Sequence, residues 1–427
     1  MTNPTMTIAQ DRRLVRAVHH STRYAIVEVT APPAAATATR PRVNVAFVLD
    51  RSGSMSGRNK ITLAKDALRE GIERLASTDR FAVVVYDNQV DVVADGRLAT
   101  ADAKRDAIRD LERVGPRGNT DLAGGWLRGA EQVAATLDPE AVNRVLLLTD
   151  GLANEGITDP REIERHAREL RVRGVSTSTF GVGDDFNEEL LGGMADAGGG
   201  AYRYIGKSEE IPGLIRSEVG ELLEVTARGV ELRVRGPEGL RVECLSTDAL
   251  DRGSRESVVH LGDLVADQVV RLVLAFSCPL GEVGRDLGIE ISVGDRTGAI
   301  SASATLTWTF ADGEANTRQP RNRDVDRIVA RTFADRAIRG AMDGNRRGAW
   351  EEVRHQLLGV ARRIRSYAGD DPVLLGIVAE LERQADAWSV LREEVDRKVA
   401  YSQASYSLRS RAASGAAMRR DPSDPIS

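Results

Sequence analysis

The chain contains 427 residues, of which 41% are hydrophobic and 29% are charged, and its formal net charge is −5. This length allows two or three domains with packed cores. The small net charge, without a stripe of Lys and Arg interleaved with aromatic residues, argues against nucleic-acid binding. Only Cys244 and Cys278 are present, which excludes a disulfide framework and leaves open whether these two pair.

Two further features set the expected compartment. Residues 1–10 lack the apolar core of a signal peptide. No apolar run approaches the ~20 residues that a membrane-spanning helix needs. We therefore expect a soluble, cytoplasmic protein without a transmembrane segment.

The first predicted element is a strand at residues 22–30, where polar and apolar residues alternate. A linker rich in Ala, Pro and Thr follows at residues 31–41. An isolated strand cannot satisfy the hydrogen bonds of its two edges. We therefore expect the N-terminal strand or strands of residues 11–31 to pair with antiparallel strands much later in the chain, which would make the intervening domain an insertion.

Strand and helix patterns alternate over residues 42–216, which predicts a doubly wound α/β domain with a mostly parallel, Rossmann-like sheet. Its first strand is apolar throughout and ends in Asp50. Ser52 and Ser54 follow at alternate positions, so that three side-chain oxygens turn toward one point, and a helix pattern comes next. This order is typical of a ligand crevice at the carboxyl edge of a parallel sheet.

Two later stretches add oxygens to this pattern. Thr120 and Asp121 lie at the start of a predicted helix, and Asp150 follows a second buried strand at residues 145–149. Each also has a plainer interpretation. The Ser and Thr residues suit helix capping, and Asp150 suits a turn, and both roles are compatible with metal binding.

The pattern Asp-x-Ser-x-Ser, then Thr, then Asp resembles the metal-ion-dependent adhesion site of the von Willebrand factor type A family, in its intracellular bacterial form. Phe-Gly-Val-Gly, Asp-Phe-Asn and Gly-Gly-Ala-Tyr stretches between residues 180 and 202 also look like this family. The resemblance implies three metal-bound hydroxyls, two carboxylates that hold the metal directly or through water, and an open position for a Glu or Asp of a partner protein. The implied metal site consists of Asp50, Ser52, Ser54, Thr120 and Asp150, and the implied partner-binding residues are Thr120 and Asp121.

The chemistry of these side chains narrows the choice of metal. Carboxylate and hydroxyl oxygens are hard ligands, and the pattern contains no His or Cys. Such a set suits Mg²⁺, or alternatively Mn²⁺ or Ca²⁺, and argues against Zn²⁺ and copper. Asp184 and Asp185 end another strand at the same edge, where they would form a second cation site or serve as helix-start carboxylates favoured by the dipole.

After residue 216 the predicted secondary structure changes to antiparallel strands and then to helices. Period-two alternation at residues 226–310 predicts an antiparallel β-sandwich. Residues 322–400 are predicted to form a helical domain. Its last apolar stripe is close to a heptad, which indicates packing within a helical hairpin or self-association. Residues 401–427, rich in Ser, Ala and Arg, are predicted to be a disordered tail.

These observations favour a metal-dependent protein-binding module or adaptor, not an enzyme. One alternative is a structural subunit of a multiprotein complex in which metal only stabilises the loops. A Mg²⁺-dependent phosphatase is disfavoured because Ser52 stands where a second carboxylate would be needed, and no P-loop or Gly-x-Ser-x-Gly motif occurs. The sequence does not identify the partner.

Overall fold

The computed structural model describes residues 5–34, 40–246, 250–253 and 255–420. The chain divides into two compact units, one of which interrupts the sequence of the other. We call the first the insert domain, which comprises Pro33–Gly229 and Gly262–Ala266. We call the second the host domain, which comprises Met1–Pro32, Val230–Leu261 and Asp267–Ser427.

The strands are distributed over both domains. In chain order they are β1 (Met6–Gln10), β2 (Leu14–Arg16), β3 (Ser21–Thr30), β4 (Val43–Asp50), β5 (Arg80–Tyr86), β6 (Val90–Leu98), β7 (Val142–Thr149), β8 (Ser176–Val182), β9 (Gly199–Ile205), β10 (Val225–Arg235), β11 (Arg241–Cys244), β12 (Leu250–Arg252), β13 (Glu256–Val265), β14 (Val269–Cys278), β15 (Asp286–Gly294) and β16 (Ser301–Ala311).

The α-helices fall into an early and a late group. In chain order they are α1 (Lys60–Arg74), α2 (Ala101–Glu112), α3 (Leu122–Ala135), α4 (Pro160–Val172), α5 (Glu188–Gly198), α6 (Ile211–Leu223), α7 (Gly313–Arg318), α8 (Arg323–Arg346), α9 (Trp350–Ala368), α10 (Pro372–Ala387) and α11 (Glu394–Leu408). Across the described part of the chain, no helix combines the length and the apolarity that a membrane crossing would require.

The insert domain is built on a six-stranded sheet with the order β6-β5-β4-β7-β8-β9. Neighbouring strands run parallel, except that the edge strand β6 is antiparallel to β5. Every residue of β4 and β7 is buried, because helices cover both faces of the sheet. Gly71 of α1 approaches Phe47 on one face, and Gly129 of α3 approaches Val48 on the other. The predicted doubly wound α/β fold is confirmed.

The strand order places a crevice beside β4. The next strand in sequence, β5, lies on one side of β4, whereas β7 lies on the other. The connections therefore diverge at the carboxyl ends of β4 and β7, which is where open α/β sheets bind ligands. Asp50 is the last residue of β4, and Asp150 directly follows β7. Folding thus brings together two carboxylates that lie far apart in sequence.

The host domain contains two antiparallel layers that face each other. Their strand orders are β1-β3-β14-β11 and β12-β13-β10-β15-β16-β2, with β2 joining the second sheet in parallel. Phe276 on β14 and Trp308 on β16 are fully buried with ring centroids 5.1 Å apart, so the two sheets share one core. The antiparallel sandwich of the predicted fold class is therefore present, and β3 pairs along its whole length with β14.

The late helices belong to this same host domain. Val325 and Val329 of α8 pack against Ile26 and Val273, which lie on the outer face of the four-stranded sheet. The prediction treats residues 322–400 as a separate domain, and this differs from the structure because α8 completes the burial of that sheet.

The predicted heptad-like stripe is divided between core and surface. Leu374, Val378 and Leu381 of α10 are buried, as packing within the domain predicts. Leu391 and Val395 are exposed. Self-association through this second half stays a prediction.

The predicted disorder from residue 401 is wrong for residues 401–420. Helix α11 continues to Leu408, and the segment after it lies along the start of β14. The Val269 amide donates to the carbonyl oxygen of Met418 over 2.9 Å, and the Arg271 amide donates to Ser410 Oγ over 2.8 Å. Composition alone could not reveal these contacts, because the order comes from a distant strand and not from local apolar periodicity. Residues 421–427 lie outside the described residues.

Both cysteines lie inside the host sandwich. Cys244 ends β11 and Cys278 ends β14, and no disulfide joins them. Burial raises the pKa of the Cys278 thiol to about 11. That thiol is therefore protonated near neutral pH and is a packing group, as thiolate-dependent chemistry would need the opposite shift.

Candidate metal centre

The carboxylate of Asp50 is fixed in a fully buried position at the end of β4. Its Oδ1 accepts a hydrogen bond from the Ser52 amide over 2.8 Å, and its Oδ2 accepts one from the Thr149 hydroxyl over 2.6 Å. Both donors are neutral. Among the described residues Asp50 has no ion pair, so nothing of opposite charge compensates its ionised form directly.

The pKa of Asp50 reflects this environment. Burial raises the pKa most, the hydrogen bonds from Thr149 and Ser52 lower it, and the nearby charge of Asp150 raises it. The net result is a pKa of about 6. A carboxylate held in this way gains most from a cation placed next to it.

Asp150 has a different set of partners. Its Oδ1 accepts a hydrogen bond from Ser54 Oγ over 2.6 Å, and its Oδ2 lies 2.6 Å from the ammonium nitrogen of Lys60. Ser54 Oγ is also 3.0 Å from Ser52 Oγ, so the two serine hydroxyls and Asp150 form one continuous chain of polar contacts. The motif serines therefore reach the second carboxylate as well as the first.

Thr120 completes the cluster from the loop before α3. Its side chain is buried, and its amide donates to Asn154 Oδ1 over 3.1 Å. A Cβ atom placed on Gly151 would lie 3.2 Å from Thr120 Oγ1 and 3.9 Å from both Asp50 Oδ2 and Ser54 Oγ. Oxygens from the β4–α1 segment and from the loop before α3 thus surround one small space, which the absence of a side chain at Gly151 keeps open.

This donor set fits a hard divalent cation. Two carboxylates and three hydroxyls supply oxygen ligands and negative charge, while soft ligands are absent from the cluster. Within the described ranges no group of three or more His, Cys, Asp and Glu side chains is arranged to hold a metal. A metal at this site would therefore depend on the hydroxyls, as the sequence pattern predicts.

Charged side chains beside the cluster tie its loops together. Asp87, which follows β5 and is fully buried, accepts hydrogen bonds from Arg51 Nε over 3.1 Å and from Arg117 Nε over 2.5 Å. Burial raises the pKa of Asp87, but these hydrogen bonds and charges outweigh it and leave the pKa below its ordinary value. The Arg117 amide also donates to the Arg51 carbonyl oxygen over 2.7 Å. The loop that carries Thr120 is thus anchored to the loop that carries Ser52.

The other predicted site residues lie elsewhere or are already engaged. Asp121 caps α3, where its Oδ1 accepts a hydrogen bond from the Gly124 amide over 2.9 Å. Asp184 lies near Tyr204, whose pKa rises to about 12 through burial first and the charge of Asp184 second. Asp185 is exposed. A second cation site at Asp184 and Asp185 and a partner contact of Asp121 stay predictions.

Lys60 and Thr149 are the site residues that sequence reasoning missed. Lys60 precedes Ala64 by four positions, which puts it on the inward face of α1, and this spacing was a detectable signal. Thr149 is the last residue of an apolar strand and becomes a partner of Asp50 only through the side-by-side pairing of β4 and β7. No local pattern indicates that contact.

The insert domain is similar in sequence to a known family. The family model described as von Willebrand factor type A domain matches residues 44–216. The uncharacterized protein YfbK of Escherichia coli (strain K12) is 30% identical over 240 residues, which is 52% of this chain and 41% of that protein. The uncharacterized protein sll0103 of Synechocystis sp. is 28% identical over 249 residues, which is 54% of this chain and 56% of that protein. The chain spans about half the length of these curated relatives.

Solved structures resemble the chain over both domains. The structure described as von Willebrand factor type A from Catenulispora acidiphila has a TM-score of 0.70 at 18% identity, covering 90% of this chain and 96% of its own. The ArnB paralog VWA2 from Sulfolobus acidocaldarius has a TM-score of 0.62 at 18% identity, covering 96% and 99%. At these identities the similarity concerns the fold.

Proposed function

Residues 44–216 are a von Willebrand factor type A domain, and on that basis we propose that the protein is a divalent-metal-dependent binding module or adaptor. Asp50, Ser52, Ser54, Thr120 and Asp150 hold Mg²⁺, with Mn²⁺ or Ca²⁺ as substitutes. The metal leaves one position open for the carboxylate of an Asp or Glu on a partner protein.

The observation that carries this proposal is the convergence of oxygens on the space beside Gly151. Asp50 Oδ2 and Ser54 Oγ from the end of β4 and the loop after it, and Thr120 Oγ1 from the loop before α3, lie within 4 Å of a single point. A cluster needed only for loop structure would pair its buried charges internally, whereas Asp50 has only neutral donors. A bound dication supplies the missing charge and attracts an outside carboxylate.

The same contacts favour binding over catalysis. Asp50 accepts two hydrogen bonds, and Asp150 is occupied by Ser54 and Lys60, so neither carboxylate is placed as a nucleophile or general base. The proposal therefore includes the absence of turnover. Phosphatase and ATPase assays with Mg²⁺ test this part, and turnover that is lost in Asp50→Ala would overturn it.

Metal binding is tested by calorimetry on the full chain. Wild type is expected to bind one Mg²⁺, and Asp50→Ala is expected to bind none, because the remaining carboxylate, Asp150, is already compensated by Lys60 and a hard dication needs negative charge among its ligands. Asp66→Ala, on the surface of α1, serves as the control because Asp66 pairs with Arg69, one helical turn away and outside the cluster. Equal Mg²⁺ binding by wild type and Asp50→Ala would show that the metal does not bind at the proposed site.

Partner capture separates the adaptor from the structural alternative. Thr120 contributes a neutral hydroxyl, so Thr120→Ala should keep the fold and most of the metal affinity but lose the partner. The measurement is affinity capture from the native cell with Mg²⁺ or EDTA, using Thr305→Ala, an exposed threonine of β16, as the control. Capture that persists in EDTA or in Thr120→Ala would mean that metal only stabilises the loops.

A further inference from the structure

Lys60 lies inside the candidate metal centre although the motif does not include it. It is the first residue of α1, its side chain is 10% exposed, and its Nζ is 2.6 Å from Asp150 Oδ2. Nζ also lies 3.6 Å from the position of a Cβ on Gly183, at the end of β8. The ammonium group is therefore enclosed at the sheet edge and directed at one of the two carboxylates.

Two residues in the left-handed region directly precede Lys60. Arg58 and Asn59 have φ values of 50° and 58°. Asn visits this conformation readily, whereas Arg adopts it at a steric cost. Helix α1 begins directly after them with Lys60, whose ammonium group reaches Asp150.

The two carboxylates of the centre differ in how far their negative charge is compensated. Asp150 has a resident cation on one oxygen and the Ser54 hydroxyl on the other, while Asp50 has only neutral donors. With Lys60 included, the centre carries one net negative charge before a metal binds and one net positive charge after a dication binds. Without Lys60, the loaded centre would be neutral.

We propose that Lys60 is a resident counter-ion that lowers the affinity of the centre for divalent metal and raises the affinity of the loaded centre for an anionic ligand. This inference rests on the proposed function, since it concerns the same metal position. Like charges repel the incoming dication, and the net positive charge that remains attracts a carboxylate.

The first test is Mg²⁺ calorimetry on the full-length wild type, Lys60→Gln and Lys65→Gln. Lys60→Gln is expected to bind Mg²⁺ at least about tenfold more tightly, because it removes a positive charge within a few ångströms of the metal position. Lys65 is the matched control, since it lies on the same helix and its Nζ bonds to the Glu112 and Val114 carbonyl oxygens instead. Lys65→Gln should bind Mg²⁺ as wild type does.

Thermal melting with and without Mg²⁺ tests the same inference if Lys60→Gln is too unstable for calorimetry. Removing Lys60 leaves Asp150 buried without a counter-ion, so the metal-free variant should melt at a lower temperature than wild type. Mg²⁺ should then raise its melting temperature by more than it raises that of wild type. A variant that Mg²⁺ stabilises no more than wild type, or that Mg²⁺ fails to refold, would overturn the inference.

The ligand part is tested with acetate, titrated into Mg²⁺-saturated protein and followed by NMR at constant ionic strength. Wild type should bind acetate several-fold more tightly than Lys60→Gln. Equal acetate affinities would overturn the inference that Lys60 attracts an anionic ligand. The Mg²⁺ titrations also distinguish the failure of the two proposals. If wild type bound no Mg²⁺, the proposed function would be wrong. If wild type and Lys60→Gln bound Mg²⁺ equally, only the role proposed for Lys60 would be wrong.

Discussion

One buried aspartate lies at each end of β4, and the two have opposite surroundings: Asp50 is the last residue of the strand, and Asp79, which directly precedes β5, lies beside its first residue. At the amino end, Asp79 accepts two hydrogen bonds from Arg40 and one each from the Val43 and Ala76 amides. At the carboxyl end, Asp50 accepts hydrogen bonds only from neutral donors. Both side chains are fully buried. The negative charge of Asp79 is compensated by an arginine of the protein, whereas the charge of Asp50 has no such partner among the described residues.

The pKa values of the two groups express the same contrast. Burial raises the pKa of Asp79, but the hydrogen bonds from Arg40 and the two amides outweigh it, and the result lies below the ordinary value of 3.8. Burial of Asp50 is not outweighed, and its pKa rises to about 6. An arginine of the protein thus compensates the carboxylate beside the amino end of β4, whereas the described residues supply no cation for Asp50 at the carboxyl end, which is the edge where open α/β sheets bind ligands.

The largest effect is expected from Asp79→Asn. This substitution leaves Arg40 without its counter-ion and replaces one of the two acceptor oxygens by NH2, so that either the Val43 or the Ala76 amide loses its acceptor. The free energy of unfolding should therefore fall by about 2–3 kcal/mol. Urea denaturation at neutral pH measures the loss. Asp66→Asn is the control, because its ion pair with Arg69 is largely exposed to solvent. A loss as small as that of Asp66→Asn would contradict the stabilising role given to the amino end.

The contribution of Asp79 should also depend on pH, with a definite sign. Its folded pKa lies below the unfolded value, so the stabilisation is present above the unfolded pKa and disappears as the pH falls through the folded one. The difference in unfolding free energy between wild type and Asp79→Asn should therefore shrink as the pH falls from about 6 to about 3. A difference that stayed constant would mean that folding does not lower the pKa of Asp79, and one that grew would mean that folding raises it.

A smaller effect of opposite sign is expected from Asp50→Asn in the absence of metal. The substitution removes a buried charge that has no counter-ion, so the metal-free protein should be about 1 kcal/mol more stable, or unchanged. Mg²⁺ should raise the melting temperature of wild type but not of Asp50→Asn. If metal-free Asp50→Asn were destabilised as strongly as Asp79→Asn, the two ends of β4 would be equivalent and the contrast would fail.

The smallest effect is expected from Arg117→Gln. Arg117 is half exposed, so solvent screens its ion pair with Asp87, and the substitution should change the free energy of unfolding little. Backbone hydrogen bonds from Arg117 to Arg51 and from Gly53 to Gly118 remain in the variant. Mg²⁺ affinity should therefore change less than about threefold, by calorimetry. A loss of metal binding as complete as in Asp50→Ala would mean that the side chain, and not the backbone, positions Thr120.

The α/β fold and the central motif were predictable because the relevant signals are local. Apolar strands that end in Asp50 and Asp150, and a helix start at Thr120, can be read without knowing which strands are neighbours. Thr149 could not be found in this way, since its role depends on the pairing of β4 with β7. Lys60 has a helical-face signal, but charge on an inward face is informative only once the site beside it is known.

The errors in the host domain have the same physical origin. Residues 401–420 have a composition typical of disorder, and their order arises from contacts with β14, far away in sequence. Likewise, α8 looks like part of a separate helical domain until the sheet face that it covers is known. Local patterns indicated most of the elements and the pairing of the first strands with the later sandwich, but not the contacts of α8 and of residues 401–420.

The pairing of β3 with β14 has a consequence for synthesis on the ribosome. β3 ends at Thr30 and β14 begins at Val269, so the partner of β3 emerges only after the whole insert domain has been translated. β1 and β3 can pair with each other early, but the other edge of β3 stays open until then. The α/β domain, whose strands emerge in one nearly continuous stretch, should fold first. One edge of β3 therefore has to stay unpaired while a complete domain is synthesised and folds, and the four-stranded sheet of the host domain can form only after that domain has emerged.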